Sequence, residues 1–330
     1  MPGNGSLESG DRMRSSDLVS LAASLRAFPM DLVLLDEHGP RVDLQCLVQG
    51  EALLCSFDSG ARFRGRFEIP HQLCLLGMVH DPGQRDSWCH GMSLVAGTAL
   101  VVCAEGVSEF FIDKGARLTL VLMPVDRLRE AINGQSLAGA MLAMPSLAPV
   151  VCSGRPESLR LLDLYQRLSH AVFSGETAPV AGILGEVVGA HVQVLLSAGS
   201  SSRPQFPRGR RGYYLMLQRA EAYMRLHMRR DLAMEEVCEA AGASERTLRY
   251  AFEHLLHISP KRYLSMLRLC AACHGLSMAD ASRRSVRSVA LSCGLWDLSR
   301  FAESYRRVFG ELPSETLMRV PPLSNGRGDG

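Results

Sequence analysis

One pattern constrains this chain more than any other: it occurs twice, 52 positions apart, in the last third. The first copy, VCEAAGASERTLRYAF from Val237 to Phe252, places an apolar stretch before Gly242. Ser244 then precedes a second stretch whose Leu248 and Phe252 are four residues apart. Each residue type has a mechanical reason. Gly242 supplies the positive φ that ends one helix, Ser244 accepts from the free amides that begin the next, and the Leu248/Phe252 stripe holds the pair together. The second copy, VALSCGLWDLSRFAESY from Val289 to Tyr305, gives Val289, Gly294, Phe301 and Tyr305 the corresponding roles. Its turn has one additional residue, so Asp297 becomes the N-cap of a helix through Phe309 that Gly310 stops. Two helices joined by a short glycine-bearing turn form a helix-turn-helix, and two in tandem are far less accidental than one.

Between the copies, Pro260 opens a helix, PKRYLSMLRLCAACHGL, that ends near Leu276 and is about 25 Å long at the usual rise per residue. With half of each flanking unit added, this spacer would hold the two second helices roughly 34 Å apart, one turn of B-DNA. They would then enter successive major grooves of double-stranded DNA from one side. Charge points the same way: residues 208–330 carry 20 Lys and Arg against 13 Asp and Glu, whereas residues 1–207 carry 16 against 21. A near-neutral total of +2 thus hides a basic end suited to a polyanion and an acidic end with another task.

The rest of the chain is of another class. Residues 1–16 and 321–330 read as disordered tails. The stretch 197–212, rich in Ser, Gly, Pro and Arg, reads as a linker between a domain at 17–196 and a helical domain at 213–320. Within the first domain, Val42 to Pro124 carries seven short apolar or alternating runs broken by QG, DSG, DPG, EG and DKG turns, which implies a β-sandwich or small barrel. A short helix is expected over Asp17 to Phe28, and two more over Pro156 to Val172 and Ile183 to Ala198. These last two have wide apolar faces that either close the core or pack on a second subunit. The fold class is multidomain α+β, with a β-rich N-terminal domain followed by an all-α tandem helix-turn-helix. No run of eighteen uncharged apolar residues and no signal-peptide order at the N-terminus appear, and the ten cysteines are scattered, so a cytoplasmic protein with no membrane partner is expected.

Several separated segments of the last 105 residues strongly resemble the AraC/XylS family of transcriptional regulators. They are Ser244-x-x-Thr247-Leu248 with Phe252; Ser259-Pro260, Tyr263-Leu264, Arg268-Leu269 and Ala272; Val289-Ala290, Gly294 and Ser299-Arg300-Phe301; and Tyr305 through Gly310 with Pro313-Ser314-Glu315. Three places depart from the family's pattern: Tyr305 stands where Phe is commoner, Leu295 replaces a Phe, and His257-Ile258 replaces Gly-aliphatic. The resemblance implies a DNA-binding regulator, with RNA polymerase as a partner and an N-terminal domain, cupin-like or sandwich-like, that senses a small molecule.

On the first recognition helix Glu245, Arg246, Arg249 and Tyr250 point away from Leu248 and Phe252. The resemblance assigns base contacts to Arg246, Arg249 and Tyr250 there, and to Ser299, Arg300 and Glu303 on the second. Arginine bonds guanine O6 and N7 bidentately, a discrimination of about 1–3 kcal/mol. Glu303 either accepts from cytosine N4 or pairs with Arg307 at i+4. Arg262, Arg306 and Arg307 suit phosphate anchoring. In the N-terminal domain Phe57, Phe63, Phe67, Trp88 and Phe110 either line a pocket for an unidentified effector or form plain core. A homodimer is expected. No catalytic motif, cofactor loop or metal-ligand spacing is present, and Cys270-Ala-Ala-Cys273 lies inside the spacer helix. The competing readings are a redox- or metal-responsive or ligand-independent DNA-binding protein, or a cupin-like enzyme fused to a DNA-binding module.

Overall fold

A computed structural model describes residues 12–15, 30–37, 42–103, 107–133, 147–151, 156–174, 180–198, 209–279 and 283–319. The chain divides between Gln205 and Phe206 into two compact units, with residues 32–37 grouping with the second.

The first unit is built on antiparallel strands: β1 (Arg12–Ser15), β3 (Val42–Gln49), β4 (Ala52–Ser59), β5 (Phe63–Glu68), β6 (Leu73–Pro82), β7 (Trp88–Cys89), β8 (Met92–Ser93), β9 (Thr98–Cys103), β10 (Val107–Ile112), β11 (Ala116–Pro124) and β12 (Leu147–Val151). A further strand, β2, spans Met30–Leu34. The large sheet runs β1-β3-β4-β11-β6-β9-β12, and the described registers of the smaller one run β5-β10-β7-β8. All seven runs expected from the sequence are strands. Arg12–Ser15 corrects the tail expected over residues 1–16, because it pairs with β3 at Arg12↔Leu47. The helix expected over Asp17 to Phe28 lies outside the described residues. So do the linker's interior, residues 199–208, and the tail at 321–330.

The outer face of the large sheet alternates as a half-buried strand should, with Leu54, Leu76, Met78, Val121 and Met123 on one side. Onto it pack the helices α1 (Val125–Asn133), α2 (Pro156–Ser174) and α3 (Val180–Ala198). Leu161, Leu164, Tyr165 and Leu168 form an i, i+3, i+4, i+7 stripe on α2 that meets Val187 and Val192 of α3 in the same cluster. The wide apolar faces of these two helices therefore close this core.

The second unit is helical: α4 (Arg210–His227), α5 (Met234–Ala241), α6 (Glu245–Leu256), α7 (Pro260–Ser277), α8 (Val286–Ser292), α9 (Leu298–Phe309) and α10 (Pro313–Met318). The spacer α7 opens with Pro260 in its first turn, Ser259 accepting from the Arg262 amide at 3.3 Å, and buries Leu264, Leu267, Ala272 and Cys273. Phe252 of α6 meets Tyr263 of α7 edge-on, with centroids 5.5 Å apart. The Tyr263 hydroxyl donates to the buried Glu221 carboxylate of α4, which Arg225 also holds at 2.9 Å.

Candidate nucleic-acid interface

The two turns predicted from the sequence share one hydrogen-bond pattern. After α5, Gly242 (φ 66°) donates to the Glu239 carbonyl and Ala243 to that of Cys238, both at 3.0 Å. After α8, Gly294 (φ 74°) donates to Leu291 at 3.1 Å and Leu295 to Ala290 at 3.0 Å. Both are Schellman closures, in which a left-handed glycine lets the chain reverse and satisfy the last carbonyls. Ser244 then accepts from the Thr247 amide at 3.3 Å and Asp297 Oδ1 from the Arg300 amide at 3.0 Å, fixing where α6 and α9 begin.

The glycines differ in their surroundings. A Cβ on Gly242 would find only the tip of Arg219, 3.4 Å away, whereas one on Gly294 would stand 2.1 Å from the Met228 carbonyl oxygen. That carbonyl and that of Arg230 are gripped by Arg268 of the spacer helix, through Nε at 2.9 Å and Nη2 at 2.7 Å. Arg268 thereby ties the loop after α4 to the turn of the second helix-turn-helix. In the sequence Arg268 is distinguished only as a position shared with the family. Its partners are backbone carbonyls some forty residues away, which no side-chain spacing encodes.

On α6, Leu248, Ala251, Phe252, Leu255 and Leu256 are buried, while Glu245, Arg246, Arg249 and Tyr250 are exposed. Arg249 Nε pairs with Glu253 Oε1 at 2.8 Å. The Tyr250 ring stacks on His254 and tilts against Tyr213, centroids 6.1 and 5.5 Å apart. On α9, Phe301, Tyr305 and Val308 are buried, leaving Ser299, Arg300, Glu303, Arg306 and Arg307 exposed. Among the described residues no ion pair joins Glu303 to Arg307. Instead Arg307 Nε lies 3.8 Å from Glu37, whose carboxylate also pairs with Arg262, so two of the three expected phosphate anchors share one acidic partner within this unit. Cys270 and Cys273 lie on α7 as expected.

The two expected departures from the family pattern with a backbone or hydroxyl consequence are both visible. His257, at the end of α6, has φ 56°, taking the left-handed conformation that glycine enters at no steric cost. The Tyr305 hydroxyl is 2.8 Å from the buried Thr316 hydroxyl, a partner on α10 that phenylalanine would lack.

In the first unit the expected pocket aromatics do not gather as one group. Phe57 meets Phe63 at 5.6 Å, Phe63 meets Phe110 at 5.9 Å and Phe110 meets Phe67 at 5.5 Å, while Trp88 stacks on Phe111 at 6.1 Å. Phe110 lies across Gly65, whose Cβ would be 2.0 Å from the ring, so no larger residue fits at that register. Arg64 is buried over Trp88, pairs with Glu109 at 2.7 Å and donates to the Gly65 carbonyl at 2.8 Å, so its guanidinium is held inside the unit. Burial pushes the adjacent Cys89 thiol up to about 12. Phe57 also borders a cavity of about 590 Å³ lined by Ser56, Asp58, His80, Arg117, Gln166 and His170, among others. Among the described residues no cluster of His, Cys, Asp and Glu could hold a metal ion, and no helix is long and apolar enough to cross a membrane.

Two Schellman-closed, side-chain-capped helix pairs on one spacer, each with a polar outward face, define a tandem helix-turn-helix DNA-binding module. Residues 237–319 match the model of a helix-turn-helix domain family, HTH_18. The chain is 34% identical over 140 residues to XylDLEGF operon transcriptional activator 1 of Pseudomonas putida, covering 42% of this chain and 38% of that one. It is 34% identical over 94 residues to the HTH-type transcriptional activator RhaS of Escherichia fergusonii, covering 28% and 33%. A solved structure of a probable AraC family transcriptional regulator from Rhodopseudomonas palustris is 35% identical over 32% of this chain and 95% of its own, with a TM-score of 0.28. The chain thus spans about two-fifths of the length of the Pseudomonas activator. Its C-terminal helical region therefore carries a helix-turn-helix domain similar to those of AraC/XylS-type transcriptional activators.

Proposed function

We propose that the whole chain is a cytoplasmic, ligand-responsive transcriptional activator that works as a homodimer, recruits RNA polymerase and catalyses no reaction. Its two recognition helices, α6 and α9, enter successive major grooves. Arg246, Arg249 and Tyr250 on α6, with Ser299, Arg300 and Glu303 on α9, read bases. Arg262, Arg306 and Arg307 anchor phosphates. The observation that carries this reading is the duplicated closure and cap, because it holds two otherwise different outward faces in the same relation to their own cores. Glu303 supports base reading in particular, since a carboxylate without an ion-pair partner gains nothing beside a phosphate but can accept from cytosine N4.

The N-terminal unit senses the effector. Its cavity falls in the size range of small-molecule sites and mixes hydrogen-bonding side chains with Phe57, Leu162 and Phe173. Phe63, Phe67, Trp88 and Phe110 then act behind Phe57 as support. The test is selection of duplexes from a random library by the full-length protein, followed by binding titrations with and without small molecules that raise its melting temperature through linkage. Enrichment of two half-sites one helical turn apart is expected. A library that emerges unenriched overturns the reading.

A further inference from the structure

The chain has two tryptophans, and they stand at opposite extremes of exposure. Trp88 is fully buried, whereas Trp296 is 62% exposed. Trp296 lies in the turn between α8 and α9, immediately before the N-cap Asp297. This turn is held on both sides. Behind it, Gly294 sits against the Met228 carbonyl and Leu295 donates back to Ala290; ahead of it, Asp297 accepts from the Arg300 amide. The indole is therefore held outward by a fixed backbone.

The first helix-turn-helix has nothing similar. Its residue before the N-cap is Ala243, in a turn one residue shorter, so two units with matching closures differ at the entrance to their recognition helices. In helix-turn-helix docking this end of the recognition helix approaches the base edges, and the turn before it borders the sugar-phosphate backbone. Arg300, in the first turn of the helix that Trp296 precedes, is exposed. An apolar ring at the entrance to such a helix matches the apolar parts of DNA: deoxyribose faces and thymine methyl groups.

We propose that Trp296 is a further DNA-contacting residue, whose indole packs on a deoxyribose or thymine methyl beside the bases read by α9. This rests on the DNA-binding function above, and it gives the second helix-turn-helix a contact that releases no counterion. The test uses full-length protein and a duplex selected by that protein. Trp296→Ala should weaken binding about tenfold to a hundredfold, and Trp296→Phe less, while the slope of log affinity against log salt stays unchanged because no phosphate ion pair is lost. Binding should shift the tryptophan emission of the wild type and leave that of Trp296→Phe, which reports Trp88 alone, as it was. An unchanged melting temperature in both variants is expected of an exposed ring. Wild-type affinity in Trp296→Ala, with emission blind to DNA, overturns the inference and assigns the ring to a protein partner. A salt slope smaller by about one overturns it too, by tracing the loss to a displaced cation. Failure of the wild type to select any duplex is a separate outcome that removes the function itself.

Discussion

Replacing Gly294 by alanine separates the conformational role of a turn glycine from its steric role, because Gly242 is an internal control. Both have positive φ, a conformation that costs an L-residue about 1–2 kcal/mol. At Gly242 that is nearly the whole cost, since the only neighbour within reach is the flexible end of Arg219. At Gly294 the new methyl would stand 2.1 Å from a carbonyl oxygen and 3.2 Å from its carbon, far inside van der Waals contact. The Met228 carbonyl must then move away from Arg268 Nε, now 2.9 Å distant, giving up a hydrogen bond to a charged donor worth about 1.5–3 kcal/mol. Gly294→Ala should therefore cost about 3–5 kcal/mol against about 1–2 for Gly242→Ala. A chain of two units does not unfold as one transition, so native-state hydrogen exchange of the α8 and α9 amides is the suitable assay. Equal losses in the two variants would refute the reasoning, since the close approach to Met228 would then contribute nothing.

Other outcomes follow from the same contacts. Arg249→Ala should relax preference at one base position by about 1–3 kcal/mol, whereas Arg306→Ala should weaken all duplexes alike and flatten the salt slope by about one; parallel binding selections on both variants check this. His257→Gly should stabilise the second unit by up to about 1 kcal/mol, because glycine adopts φ 56° freely, and a higher melting temperature is the readout. His191 is fully buried, donating from Nε2 to the Leu100 carbonyl at 3.2 Å and accepting at Nδ1 from the Tyr165 hydroxyl at 3.3 Å; burial lowers it to about 4. Between its unfolded value near 6.5 and about 4 the unfolded chain binds the extra proton, so stability is full above that window and falls by about 3 kcal/mol as pH drops through it; His191→Gln should remove that slope in acid titrations of the first unit's unfolding.

What the sequence made legible was whatever depends on local pattern. The seven strands follow from alternation and turn residues, and the two helix pairs from Gly242, Ser244, Gly294 and Asp297, each of which acts within a few residues of itself. The strands Met92–Ser93 and Leu147–Val151 escaped, the first because two residues carry no period and the second because LAPVV contains a proline. Tertiary partners were not legible either. Nothing local distinguishes Arg64 from Arg62 and Arg66, and only the β5–β10 register, which sets it opposite Phe111 and within reach of Glu109, makes it a buried ion-paired side chain. Trp296 carries no signal in the sequence, because exposure, rather than residue type, is what distinguishes it.

The Arg249–Glu253 pair bears on whether a recognition-helix arginine held by its own helix is still available to a base, and magnitudes decide it. Both side chains are largely in water, at 68% and 46% exposure. An exposed i, i+4 pair contributes only about 0.3–0.5 kcal/mol, whereas a bidentate bond to guanine discriminates by about 1–3 kcal/mol. If Arg249 reads a guanine as proposed, it is expected to leave Glu253 readily when the base is presented, the pair costing little affinity. Glu253→Gln follows as the discriminating change. If the pair is only a resting state, affinity for the selected duplex rises about twofold with base preference intact; if Glu253 instead orients the guanidinium for its base, preference at that one position weakens as it does in Arg249→Ala.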